Sequence, residues 1–212
     1  MRRAFAITAL IGTVGGLCWL FPLFHVVPLN RALGEKSAKV FDAAQFADNF
    51  WSEKLLKSIG WAAPVEKLLA AIQNDPVAAK TNYARCLGMG DSYIYFLRGS
   101  GTILSISGDE ISVGVSENAT NAEIVLETGL IFGNTLRDGT GLLSPSDYPD
   151  SQDFNDIAAA LNKIAMTRVL PKLRAQAKII GAGISFTGCA EVDDESTDLH
   201  PLHVVPIQGE VQ

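Results

Sequence analysis

The sequence predicts an α+β protein: an N-terminal membrane helix, a helical segment, and a small antiparallel β-barrel with one long helix inserted before its last strands. Three observations carry this. Residues 4–29 form a nearly unbroken apolar run without Asp, Glu, Lys or Arg. Apolar residues recur every 3–4 positions between 41 and 85, the period of an amphipathic helix. From 92 to 131 the period falls to two, with glycines between the alternating stretches, as in a meander of short strands.

The apolar run follows Met1, Arg2 and Arg3 and matches the roughly 20 residues needed to cross a bilayer core. A cleaved secretory signal has a shorter apolar stretch, about 7–15 residues, ending at a small-x-small site. No such site precedes Asn30, so the run reads as a retained anchor over residues 1–29, followed by a linker at 30–40. Cys18 invites a lipid attachment, but bulky Leu17 precedes it and Trp19, Leu20 and Phe21 continue the run past the sulfur. Arg2 and Arg3 favour a cytoplasmic N-terminus and a periplasmic C-terminal domain, in a single pass of a bacterial inner membrane.

Residues 41–212 suffice for one periplasmic α+β domain, with a helical part at 41–90 and a barrel-like part at 91–212. Setting aside Arg2 and Arg3, 15 basic residues face 23 acidic ones. An acidic domain with no evident basic stripe argues against nucleic acid, and against anionic lipid beyond the anchor. Outside the run only Cys86 and Cys189 remain. They could pair in an oxidising compartment or stand as separate buried thiols.

Within the helical part, Phe46, Phe50, Leu55 and Ile59, then Val65, Leu68, Leu69 and Ile72, mark two helices, with Pro64 in the first turn of the second. Asp75 before Pro76 caps a third, running through Tyr83. Strands follow over 93–98, 102–107, 111–115 and 122–127. Glycines 99, 101, 108, 114, 129 and 133 supply the bends by which a small barrel closes. A turn-rich loop at 139–150 leads to a helix opened by Asp153, which Pro171 should kink. A strand over 179–191, an acidic loop over 192–201 and a last strand over 202–211 complete the chain.

The stretches "FPLFHVVPL", "RCLGMGDSYIYFLRGSGTILSI" and "GNTLRDGTGLLSPSDY", and the terminal "HVVPIQ", resemble a bacterial family of unknown function labelled predicted periplasmic lipoproteins. The resemblance covers nearly the whole chain. It implies an envelope location, a barrel like the OB-fold, and frequent encoding beside sugar ABC transporters, whose components would be partners. It implies no activity and no cofactor. Cys18 departs from the family label because no small residue precedes it.

Catalytic patterns are weak. Gly183 to Gly188 has one residue too many for a nucleophile elbow and lies in a strand-like stretch. Gly88-Met89-Gly90 precedes a strand instead of following one, so it fails the dinucleotide fingerprint and reads as a turn. His200 and His203, beside Asp193, Asp194, Glu195 and Asp198, are weak metal candidates, the plainer reading being a solvated acidic loop. Asn118-Ala119-Thr120 matches a glycosylation sequon only by pattern.

The polar group singled out is Arg137-Asp138, entering the loop that holds Asp147 and Tyr148. Arg137 can clamp Asp138, or it can hold a carboxylate or phosphate at the mouth of the barrel. Two function classes follow. The first is a membrane-anchored accessory or binding module, which the resemblance associates with a sugar ABC transporter, with Arg137, Asp138, Asp147 and Tyr148 as contacts. The second is a carboxylate-dependent envelope hydrolase built from acids such as Asp109, Asp138 and Asp147. Nothing in the sequence fixes such a carboxylate pair, so the binding module is preferred.

Overall fold

The computed structural model describes residues 41–86, 91–148 and 150–212. Two compact units divide at Phe41, and the second, Asp42–Gln212, is the folded domain described below. The anticipated membrane run at 4–29, the linker and Cys18 lie outside the described residues. Among those described, no helix is long and apolar enough to cross a membrane.

Helix α1 (Ala43–Phe50) starts where the Asp42 carboxylate accepts the Gln45 amide. It continues through a π-helical turn, Trp51–Leu55, and a 3₁₀ turn, Leu56–Trp61. After the short strand β1 (Ala63–Pro64), helix α2 (Val65–Asn74) buries Val65, Leu68 and Ile72, the face its periodicity defines. Helix α3 (Pro76–Tyr83) is capped as the sequence indicates: Asp75 Oδ1 accepts the amides of Val77 and Ala78, each at 3.0 Å. Pro64 differs from expectation. It precedes the helix in extended conformation and pairs with Arg98 as part of β1.

Strand β2 (Ala84–Cys86) and β1 both join β3 (Tyr93–Ser107), so the segment expected to be wholly helical lends two short strands to the sheet. Strands β4 (Glu110–Gly114) and β5 (Ile124–Glu127) follow. The sequence then forms α4 (Thr135–Asp138), α5 (Ser151–Ile164) and α6 (Leu170–Gln176), before β6 (Gly183–Val192) and β7 (Leu202–Val211). Pairing runs β3–β4–β5–β7–β6 and returns to β3, so the five strands close a cycle. Only the β5–β7 pair within it is parallel.

Closure depends on β3 serving two neighbours. It pairs with β6 from Tyr93 to Thr102 and with β4 from Thr102 to Ser107. Gly101 stands where the strand passes between them, and a Cβ there would lie 2.3 Å from the Gly114 carbonyl oxygen. Inside, Tyr93, Tyr95, Leu97, Ile103, Ile111, Leu126, Phe186 and Val204 form one core, joined by α2 and by Leu173 of α6. Helix α1 packs on α5 outside the cycle.

Two expectations are corrected. The long helix changes character before Pro171: a π-helical turn, Ala165–Val169, follows α5, and Pro171 falls in the first turn of α6, which starts at Leu170. The strand expected from 179 begins at Gly183, because Gly181 (φ +90°) turns the chain from α6 into the sheet.

Candidate functional site

The Arg137-Asp138 pair sits in α4, a single turn between β5 and the long loop. Arg137 is 5% exposed. Its Nε donates to Asp138 Oδ1 at 2.6 Å and its Nη2 to Oδ2 at 2.8 Å, a bidentate pair. Nη1 donates to the Phe154 carbonyl at 3.1 Å and to Asn155 Oδ1 at 3.3 Å, while the guanidinium lies 3.7 Å over the Phe154 ring. With its charge matched and its donors directed inward, Arg137 clamps the loop to the start of α5. Tyr148 extends this cluster, its ring 5.2 Å from Phe154 and 6.0 Å from Phe46 of α1. Burial and then the Asp147 charge push the Tyr148 hydroxyl pKa up. Asp147 itself is exposed at the end of a 3₁₀ turn, Pro145–Asp147.

The other sequence candidates separate. Asp109 pairs with Arg174 and Asp138 with Arg137, so these acids and Asp147 share no contact that would make a carboxylate dyad. His203 Nδ1 lies 3.5 Å from Glu127 across the β5–β7 pair, whereas His200 lines a small hollow with Leu69, Gln73, Ala122 and Glu123. Among the described residues no three His, Cys, Asp or Glu side chains gather as a metal would require. The acidic loop bonds to itself: Asp198 Oδ2 accepts the amides of Asp193 and Asp194, and Asp194 Oδ1 accepts the Ser196 amide. Hydrogen bonds from the Ser196 side chain and amide hold Asp194 below the ordinary carboxylate range, and those from the Asp194 amide and Thr197 do the same for Asp198.

Ser185 lies within β6, with no strand-to-helix turn to expose it as a nucleophile. Gly88-Met89-Gly90 lies outside the described residues. Asn118 takes a left-handed turn (φ 61°), which accounts for an Asn in that loop. Both Cys86 and Cys189 are free, and burial drives the Cys189 thiol pKa up.

A cleft that the sequence did not single out lies where the clamped loop meets β2 and β3. Its volume is about 550 Å³, and Trp61, Tyr83, Arg85, Phe96, Arg98 and Thr140 line it. Trp61 is 74% exposed at this cleft, far above the usual burial of a residue that large. Arg98 is held by donating its Nε to the Ala62 carbonyl at 3.3 Å. Arg85 makes no hydrogen bond or ion pair among the described residues. Its guanidinium rests on Gly141 (φ +61°), where a Cβ would lie 1.8 Å from Cζ. Gly141 donates its amide to the Asp138 carbonyl at 3.0 Å, so the Arg137 clamp fixes the floor beneath Arg85.

The closed five-strand cycle, with α4, α5 and α6 between β5 and β6, is an arrangement comparable with the OB-fold. An OB-fold protein of Thermotoga maritima MSB8, known from a crystal structure, is 27% identical, with a TM-score of 0.73 over 82% of this chain and 100% of that one. Residues 14–210 match the family described as "Predicted periplasmic lipoprotein", and the chain belongs to that family. No curated protein matches. Family membership gives an envelope-associated, periplasmic location and no activity.

Proposed function

We propose that the protein is a non-catalytic binding module held at the periplasmic face of the inner membrane, whose Trp61–Arg85 cleft takes a small anionic, hydroxyl-rich solute such as a sugar acid or sugar phosphate. The observation that carries this is Arg85, a guanidinium without a partner among the described residues, set in a cleft beside an exposed tryptophan. A guanidinium matches a carboxylate or phosphate bidentately, and an aromatic face covers the apolar side of a ring. Association with a sugar ABC transporter, which the family resemblance implies, would give such a module its task.

Isothermal titration of the full chain in detergent tests this, with glucuronate, glucose 6-phosphate and uncharged glucose as probes. Saturable binding of an anionic probe, with glucose much weaker, is expected. Arg85→Gln removes charge-assisted hydrogen bonds and should weaken that binding roughly 10- to 100-fold. Trp61→Ala should weaken charged and neutral probes alike. Binding of none of the three, or binding indifferent to Arg85, overturns the reading.

A further inference from the structure

The chain's net acidity conceals a segregation of charge. Between Asp156 and Glu191 there is no acidic residue, yet Lys163, Arg168, Lys172, Arg174 and Lys178 fall there. All five are exposed. Along this helical stretch runs the loop between β5 and α4, tied at three places. Arg174 pairs with Asp109, whose carbonyl accepts the Thr128 amide; the Ile131 amide meets Met166 Sδ at 3.5 Å; and Asn162 Nδ2 donates to the Gly133 carbonyl at 3.0 Å. So held, the loop alternates. Ile131 is 4% exposed, while Leu130 and Phe132 are 73% and 78% exposed, and Leu130 shares a hollow with Met166, Leu170 and Arg174.

We propose that this face, Leu130 and Phe132 with the basic helix beside them, docks on an anionic lipid surface. Two large apolar side chains projecting from a pinned loop suit the headgroup boundary, where apolar groups insert and cations meet lipid phosphates. Lys163, Lys172 and Lys178 have no acidic partner among the described residues, so their charge is available. A bilayer is the occupant favoured over an acidic protein because the family is an envelope one, and because exposed apolar side chains beside these lysines suit a lipid headgroup boundary. The overall acidity, read from composition, points away from anionic lipid; the absence of any acidic residue between Asp156 and Glu191 points toward it.

The test is hydrogen exchange on the full chain in nanodiscs of phosphatidylcholine, or of equal parts phosphatidylcholine and phosphatidylglycerol. Residues 128–134 and 163–176 should exchange several-fold more slowly on the anionic discs, and high salt should reverse this. Leu130→Ser/Phe132→Ser should abolish the protection without lowering the melting temperature, since both side chains are solvated in the fold. Exchange indifferent to lipid charge overturns the proposal. So does a benzoylphenylalanine in place of Phe132 that crosslinks to a protein in cells while the loop stays unprotected on lipid.

Discussion

Arg137 shows how one residue can be located correctly by sequence and still have its role settled by packing. Its guanidinium satisfies Asp138, a backbone carbonyl, Asn155 and the Phe154 ring, with almost no exposure left for a ligand. Removing one partner of a buried pair leaves an uncompensated charge, which typically costs about 3–5 kcal/mol. Arg137→Ala should therefore lower the melting temperature strongly. Arg137→Ala/Asp138→Ala should recover part of the loss, because the orphan carboxylate is gone while the contact with Phe154 is not restored. Thermal melts of both variants check this, and an Arg137→Ala protein as stable as the wild type would refute the clamp.

At the scale of elements, periodicity and capping were legible and closure was not. Asp75 and Pro76 announced α3 because that signal is local. Alternation from Tyr93 announced a strand, but the strands expected over 93–98 and 102–107 are one continuous β3, with Gly99 and Gly101 lying within it. The π-helical turn before Pro171 and the recruitment of β1 and β2 depend on distant neighbours, which no short window records. The cleft was missed for the same reason: Trp61, Arg85 and Thr140 are far apart in sequence. Gly188 shows what closure requires. It faces Pro206 beside a register shift between β6 and β7, and a Cβ there would stand 2.4 Å from the Val205 carbonyl oxygen. A backbone atom cannot swing aside as a side-chain tip can, so Gly188→Ala must part the two strands. A loss of about 1–3 kcal/mol is expected, read by urea denaturation. A change within a few tenths of a kcal/mol would mean that the bulge gives way without resistance.

For the whole molecule, the N-terminal apolar run carries an expectation about how the chain is attached to a membrane. Two modes are open to this sequence, and they exclude each other. Lipidation at Cys18 requires cleavage before it, which leaves only Trp19 to Leu29 as apolar chain. Eleven residues are too few to span a bilayer core, for which a helix needs roughly 20. Retention of the run keeps a spanning length and leaves Cys18 inside it as an unmodified thiol. Leu17 is bulky where a small residue would precede a lipidated cysteine, and the apolar stretch continues beyond the sulfur, so we expect retention. Mass spectrometry of the N-terminal peptide from purified membranes should then recover residues before Cys18. Labelled fatty acid should not be incorporated, and Cys18→Ser should stay in the membrane fraction. A mature chain beginning at a lipidated Cys18 would instead make the lipid the anchor, as the family description has it, and would displace the helix from this account.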